Sequence, residues 1–302
     1  MLNSIPNPAM SDQDTRHIIA LSGGKDSSAL AIYMREPNRW QKHLGKTDAE
    51  PREPLEDVEF VFCDTGTELE ETYEYLDKLE TKLGKPIRRL QADSPPDKTP
   101  FDHYLELYGG FLPSANMRWC TRNLKIKPFE NYIGDDPVIN YVGIRADEDR
   151  EGYISTKDNI ATVFPFREDG LVKEDIYRIL DDSGMGRPDY YDWRSRSGCY
   201  FCFFQRKSEW VGLKENHPEL FEKAKEYEKF DEDTGERFTW DDTESLEELE
   251  SPERIEEIKE KAQDRRERLK QEMSERSLMD VFFEDEVREM EDDSRGCNIC
   301  HL

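Results

Sequence analysis

His17 to Met34 reads HIIALSGGKDSSALAIYM. The apolar run His17–Leu21 has the length and composition of a buried strand, and Leu30, Ala31, Ile32 and Met34 give the far end a helix that packs on a sheet. Between them, Ser22 to Asp26 forms a tight glycine turn, with the helix expected to begin near Ser27. A strand that feeds a glycine turn and a helix N-terminus makes an anion site, because unpaired backbone N–H groups and the helix dipole both favour negative charge there. Gly23 and Gly24 let the backbone approach a phosphate closely. Ser22, Ser27 and Ser28 add hydroxyls, Lys25 a positive charge and Asp26 a carboxylate. The loop is not a Walker A sequence, which needs a glycine five residues before its GK and then Ser or Thr; here those places hold Ile19 and Asp26. The G-x-G-x-x-G spacing of a dinucleotide loop is also absent.

The chain of 302 residues carries 43 basic and 69 acidic residues, for a net charge of −26. Such a balance disfavours a broad nucleic-acid surface, so an anionic substrate must meet a local basic patch or arrive on a partner. Salt adaptation is a second reading of the acidity. No stretch has the length of a membrane span and the polar start lacks a signal-peptide apolar core, so the expectation is a cytoplasmic protein. Six cysteines in that setting are metal ligands or reactive thiols before they are disulfides.

Residues 1–16 read as a loose terminus, and Glu36 to Asp57 as a charged, proline-containing surface loop. Val58–Cys63 is a second strand, and Asp64-Thr65-Gly66 follows at its C-terminal end, where open α/β sheets bind ligands. A helix runs on to about Lys82. Pro86–Gln91, Val138–Ile144 and Ala161–Phe166 are further strands, with helices at Phe101–Tyr108 and Lys173–Asp182. This alternation predicts an α/β fold with a doubly wound, mostly parallel five-stranded sheet. From about Lys207 the chain reads as helical: Trp210–Asn216, Pro218–Phe230 and a long charged helix at Glu253–Glu275. The expected organisation is therefore a core domain at 17–207 and an acidic helical C-terminal region at 208–302.

Two stretches in this acidic chain contain no acid. Met117–Pro128 carries Arg118, Arg122, Lys125 and Lys127 around Cys120; Trp193–Lys207 carries Arg194, Arg196, Arg206 and Lys207 around Cys199-x-x-Cys202. A C-x-x-C pair alone is open between zinc, an iron–sulfur cluster and a redox dithiol. Cys63, inside a strand, reads as a buried small hydrophobe. The tail Cys297-Asn-Ile-Cys300-His301 has the formal spacing of a haem attachment site, a reading set aside because attachment follows export.

The string SGGKDS resembles the pyrophosphate loop of the ATP pyrophosphatases, the adenine nucleotide alpha hydrolase and PAPS reductase superfamily. The DTG-x-E-x-x-E-T pattern from Asp64 to Thr72 and the GIRADEDR segment from Gly143 to Arg150 also resemble elements of PAPS reductase relatives. Cys120 with Cys199 and Cys202 is similar to the cysteine layout of iron–sulfur members, although Thr121 stands where the reductases have an adjacent cysteine. The tail departs from the reductase tail, since His301 follows Cys300 directly. The pyrophosphate loop is the most specific part of the resemblance; with the string RSGCYFCFFQRK at 196–207 and without the reductase tail, the chain resembles the PAPS reductase-like subunits of bacterial DNA phosphorothioation systems (Dnd and Ssp type).

The resemblance implies an adenine nucleotide alpha hydrolase-like fold and cleavage of ATP between the α- and β-phosphates. Ser22, Gly23, Gly24, Lys25, Asp26, Ser27 and Ser28 would hold ATP and Mg²⁺, with Lys25, Asp26 and Ser27 at the reacting phosphate and Asp64, Thr65 and Gly66 against the adenosine. Cys120, Cys199 and Cys202 would bind an iron–sulfur cluster of the 4Fe-4S kind, and Arg118, Arg122, Lys125, Arg145, Arg194 and Arg196 would hold the anionic substrate. The implied partners are a cysteine desulfurase and DNA-handling proteins, which present DNA, with no role for a membrane. Three rivals share the loop: a sulfonucleotide reductase, a tRNA thiolase and a non-catalytic ATP-binding assembly subunit.

Overall fold

In β1 (Arg16–Leu21), Ile18 to Leu21 are all buried, and their side chains alternate between two separate cores. A strand buried on both faces belongs in the middle of a covered parallel sheet. The computed structural model, which describes residues 15–149, 155–230 and 237–274 (side chains to 268), places it there. After β1 come α1 (Lys25–Tyr33), α2 (Pro37–His43), β2 (Val58–Cys63), α3 (Glu70–Leu83), β3 (Ile87–Leu90) and α4 (Pro100–Leu107). Next are α5 (Trp119–Thr121), a π-helical turn at Arg122–Ile126, α6 (Lys127–Ile133), β4 (Val138–Tyr141) and β5 (Ile160–Val163). The chain continues through α7 (Pro165–Glu168), α8 (Lys173–Asp182), α9 (Lys207–Asn216), α10 (Pro218–Glu226), β6 (Lys229–Phe230), β7 (Arg237–Phe238), α11 (Leu246–Leu249) and α12 (Pro252–Ser274). The strand order is β3-β2-β1-β4-β5, every pair parallel, with Ile19 beside Phe60 on one side and Tyr141 on the other.

Ile19 and Leu21 face α1, α3 and α8 through Leu30, Leu76, Leu79, Ile176 and Ile179. Ile18 and Ala20 face the opposite way, onto Phe129 and Ile133 of α6. A third core gathers Leu69, Phe101 and Trp119 with Tyr190, Phe201, Trp210, Phe221, Trp240 and Ile258. It therefore joins the middle of the chain to helices beyond residue 207. The chain-reversal point between β1 and β4 opens a crevice at the strands' C-terminal ends, the usual ligand position in open α/β sheets.

Two expectations are corrected. Glu36–Asp57 is not all surface loop: it contains α2, whose Trp40 (5% exposed), followed by Leu44 (7%), belongs to the main core. Apolar spacing over a single short, proline-started helix is too brief to register as periodic. The region after Lys207 is not wholly helical, because Lys229–Phe230 pairs antiparallel with Arg237–Phe238. Among the described residues no helix is long and apolar enough to cross a membrane.

Leu180 on α8 is fully buried in the core that supports α1. Leu180→Ala should lower unfolding free energy by about 3 kcal/mol through lost burial and a residual cavity. Urea denaturation measures this as a lower midpoint with an unchanged slope.

Candidate functional site

The loop after β1 owes its shape to Gly23. Its φ is +75°, and a Cβ there would stand 2.5 Å from Thr72 Cγ2, so a side chain is excluded by conformation and by space. Helix α1 starts at Lys25, two residues before the sequence expectation, with Gly24 in extended conformation at its N-cap. Gly143, just past β4, brings its backbone against the same point: a Cβ there would lie 3.0 Å from the Asp26 carbonyl oxygen. Strand β4 ends at Tyr141, short of the expected Ile144.

The loop is folded on itself. Ser27 Oγ accepts from the Ser22 N–H at 3.1 Å and donates to the Gly24 carbonyl at 3.2 Å, and Ser22 Oγ accepts from the Gly24 N–H at 3.3 Å. Three hydroxyls from the segment before the C-x-x-C turn cover it. Tyr191 OH accepts from the Lys25 N–H at 3.3 Å, Ser197 Oγ donates to Ser22 Oγ at 3.2 Å, and Tyr190 OH donates to the Gly23 carbonyl at 2.9 Å. Ser22, Lys25, Asp26, Ser27 and Ser28 are consequently all buried.

Lys25 Nζ lies 2.9 Å from Asp26 Oδ2, and the Arg145 guanidinium lies 3.0 Å from Asp26 Oδ1. Arg145 also pairs with Asp147 and Glu148. Asp26 is thus fixed between two cations on different elements, which orients the first turn of α1. Arg145 was expected to hold substrate; it is instead buried and committed to three carboxylates. Arg150, at the end of that segment, lies outside the described residues.

Asp64 closes its own turn, accepting from the Gly66 N–H at 2.8 Å, Tyr73 OH at 2.8 Å and Gln91 Nε2 at 2.8 Å. Glu68 is buried beside it and accepts from Thr65 Oγ1 at 2.7 Å. Burial, with Asp64 adding, holds the Glu68 carboxyl above the usual range against the pull of Lys125. The C-x-x-C turn docks on this loop: Glu68 and Cys199 form an isolated antiparallel bridge, the Tyr200 N–H donates to the Thr67 carbonyl, and Thr65 Oγ1 lies 3.3 Å from Cys199 Sγ. Arg194, another expected substrate ligand, is 1% exposed and donates to the Gly198 and Cys199 carbonyls at 3.2 and 2.6 Å. It clasps the turn from inside.

Burial pushes the thiol of Cys120 up to about 12 and that of Cys199 to about 11, each raised further by the neighbouring cysteines and opposed by Lys125. The three cysteines and Lys125 therefore share one neighbourhood. Yet among the described residues no group of three or more Cys, His, Asp or Glu side chains is arranged to hold a metal ion. The expected three-cysteine set does not form such a group: Cys199 Sγ lies 3.3 Å from Thr65 Oγ1, and Cys120 Sγ 4.0 Å from Thr121 Oγ1. Cys297 and Cys300 lie outside the described residues. Cys63 ends β2, its thiol donating to the Lys125 carbonyl at 3.4 Å and raised by burial to about 12, as suits an inert core thiol.

Of the other expected cations, Arg118 and Arg196 both approach one ring, 5.1 and 5.3 Å from the centre of Phe204, while Arg122 is exposed. Tyr190, Tyr191 and Ser197 were missed because nothing in their spacing reveals contact with a loop some 170 residues earlier. The Tyr-Tyr doublet ahead of the basic stretch was the available signal. Glu209 was missed too. It accepts from the Ser195 and Arg206 backbone N–H groups and from Ser195 Oγ, bracketing the C-x-x-C turn.

Residues 16–165 match the family model described as phosphoadenosine phosphosulfate reductase domain. The uncharacterized protein MJ0066 of Methanocaldococcus jannaschii is 28% identical over 219 residues, 68% of this chain and 40% of that protein. MJ0973 of the same organism is 26% identical over 220 residues, 68% of this chain and 45% of that protein. The chain thus spans under half the length of both archaeal relatives. An uncharacterized 37.8 kDa protein of Escherichia phage 186 is 27% identical over 273 residues, 72% of this chain and 75% of that protein. Among solved structures, phosphoadenylyl-sulfate (PAPS) reductase from Candida auris, in a phosphate complex, aligns with a TM-score of 0.42 at 12% identity, covering 62% of this chain and 82% of that one.

Burial acts to raise the Glu209 carboxyl, but Arg206, Arg196 and Arg194 outweigh it and hold the group below the usual range. A lowered folded value means that Glu209 stabilises the fold above its unfolded pKa of about 4.3, and that this contribution is lost as pH falls through the folded value. Glu209→Gln should therefore cost about 3 kcal/mol at pH 7 by leaving buried guanidinium charge uncompensated. The gap between variant and wild type should narrow below pH 4, as measured by thermal unfolding across pH.

Proposed function

The chain belongs to the PAPS reductase-like superfamily through residues 16–165, and on that premise we propose that it is an ATP pyrophosphatase that activates a phosphate oxygen for sulfur insertion, with DNA as acceptor. The observation that carries the reading is the loop itself: a glycine turn at the switch point of a parallel sheet, capped at a helix N-terminus, with Lys25 and Asp26 locked at its mouth.

ATP phosphates on Ser22–Ser28 would take the places now held by the Tyr191 and Ser197 hydroxyls, freeing the Lys25 N–H to bind an anion. Lys25 would turn from Asp26 toward the β-phosphate and take up charge on the leaving pyrophosphate. Mg²⁺ bound with ATP would supply further charge neutralisation. The acceptor oxygen attacks the α-phosphorus and pyrophosphate leaves, giving an adenylate. A cysteine desulfurase would supply sulfur as a persulfide on Cys199 or Cys202. Its terminal sulfur attacks the activated phosphorus and expels AMP; the second thiol then releases the thiophosphate, leaving a disulfide for an external thiol to reduce. No step is routed through an iron–sulfur cluster, since among the described residues no group of three or more His, Cys, Asp or Glu side chains is arranged to hold a metal ion.

A sulfonucleotide reductase is the second reading, favoured by the matched family's description. It uses the same loop for a nucleotide that already carries sulfate. The two differ in what is consumed. With Mg²⁺-ATP the protein should yield AMP and pyrophosphate, and Asp26→Ala or Ser22→Ala should lower turnover at least a hundredfold while the circular dichroism spectrum is unchanged. ADP and phosphate as main products would contradict the loop assignment. Inertness toward ATP, with sulfite formed from a sulfonucleotide, would select the reductase.

A further inference from the structure

Beside the C-x-x-C turn lies a cleft of about 1190 Å³, walled by Phe111–Arg118, Phe203–Ser208, β7 and the first turns of α12. Its charge is opposite to the chain's. The lining includes Arg118, Arg196, Arg206, Arg237, Arg254 and Lys261 against only two acids, Asp241 and Asp242, in a protein of net charge −26. The carboxylates that hold these cations in place, Glu244 and Glu257 for Arg254, Glu257 for Lys261 and Glu248 for Arg237, are not part of the lining. Arg118 has no carboxylate partner among the described residues.

Aromatic faces alternate with the cations. Phe204 lies under both Arg118 and Arg196 and packs on Phe203, with ring centres 4.3 Å apart. Phe111, 48% exposed, meets Phe238 edge-on at 4.9 Å. Phe203 and Phe204 directly follow Cys202, so the cleft wall continues the C-x-x-C turn.

Cations spaced among accessible rings are the recognition chemistry of unpaired nucleotides, whose phosphates meet the charges and whose bases stack on the rings. We infer that this cleft binds single-stranded nucleic acid and carries its backbone past the C-x-x-C turn. A duplex keeps its bases stacked on one another and has no use for Phe111, which is exposed, or for the half-buried Phe203, Phe204 and Phe238. The inference deepens the reading of DNA as sulfur acceptor and rests on it. It also supplies the local basic patch that the overall acidity demands.

The test is fluorescence anisotropy of the full chain with a labelled mixed-sequence deoxyribonucleotide twelve-mer, as single strand and as duplex, across a salt series. The single strand should bind more tightly than the duplex, with affinity falling steeply with salt. Arg118→Ala and Arg237→Ala should each weaken binding several-fold and reduce the salt slope by about one. Phe204→Ala should weaken it about tenfold with the slope unchanged. Arg118→Gln and Phe204→Leu replace any alanine variant whose circular dichroism departs from the wild type. Absence of saturable single-strand binding, equal or tighter duplex binding, or affinity unmoved by all three substitutions overturns the inference. So does displacement of the strand by polyglutamate of equal charge, which would mark an acidic-protein surface. Wild-type protein separates this outcome from that of the reaction. AMP formation without strand binding removes the cleft alone, whereas strand binding with ADP as the product removes the pyrophosphatase alone.

Discussion

Three hydroxyl contacts, from Tyr190, Tyr191 and Ser197 to the loop after β1, tie that loop to the segment that carries the C-x-x-C turn. The rest of the site depends on this coupling. The same segment is clasped by Arg194 and capped by Glu209, and it bridges at Cys199 to the loop after β2. Two distant stretches of sequence therefore behave as one wall over the crevice. An anion on the loop's N–H groups would compete with the Tyr191 and Ser197 hydroxyls, and Ser197 stands two residues before Cys199.

Charge is distributed unevenly over the chain. The chain is acidic enough to repel a polyanion at large, while Arg118, Arg196 and Arg237 gather along one cleft. Those that serve the fold are buried with carboxylates or carbonyls, as Arg145 and Arg194 are. Acidic charge over the rest of the chain would leave the proposed nucleic-acid strand one favoured approach, since like-charge repulsion opposes the others.

The sheet and the loop were legible in the sequence because they rest on local rules. Five apolar runs, helical spacing between them and the SGGKDS turn state a parallel sheet and an anion site with no reference to distant residues, and Lys173–Asp182 is a helix at the bounds read from sequence. What escaped depended on tertiary partners. Arg145 and Arg194 look like substrate ligands in a string of basic residues, and only Asp26, Glu148 and the carbonyl of Cys199 reveal them as structural. Helix α2 was hidden by its brevity. The three cysteines were recognised as neighbours, but sequence spacing carries no information on whether thiols converge on a point.

The central claim is that the loop from Ser22 to Ser28 seats the phosphates of ATP. A crystal structure of the protein with Mg²⁺ and the α,β-methylene analogue of ATP tests it most directly. The account predicts the phosphate chain against the N–H groups of Gly23 to Lys25, with the Tyr191 hydroxyl withdrawn from Lys25 and the adenine lying toward Asp64–Gly66. Phosphates bound elsewhere, with the Tyr191–Lys25 and Ser197–Ser22 contacts intact, would contradict it.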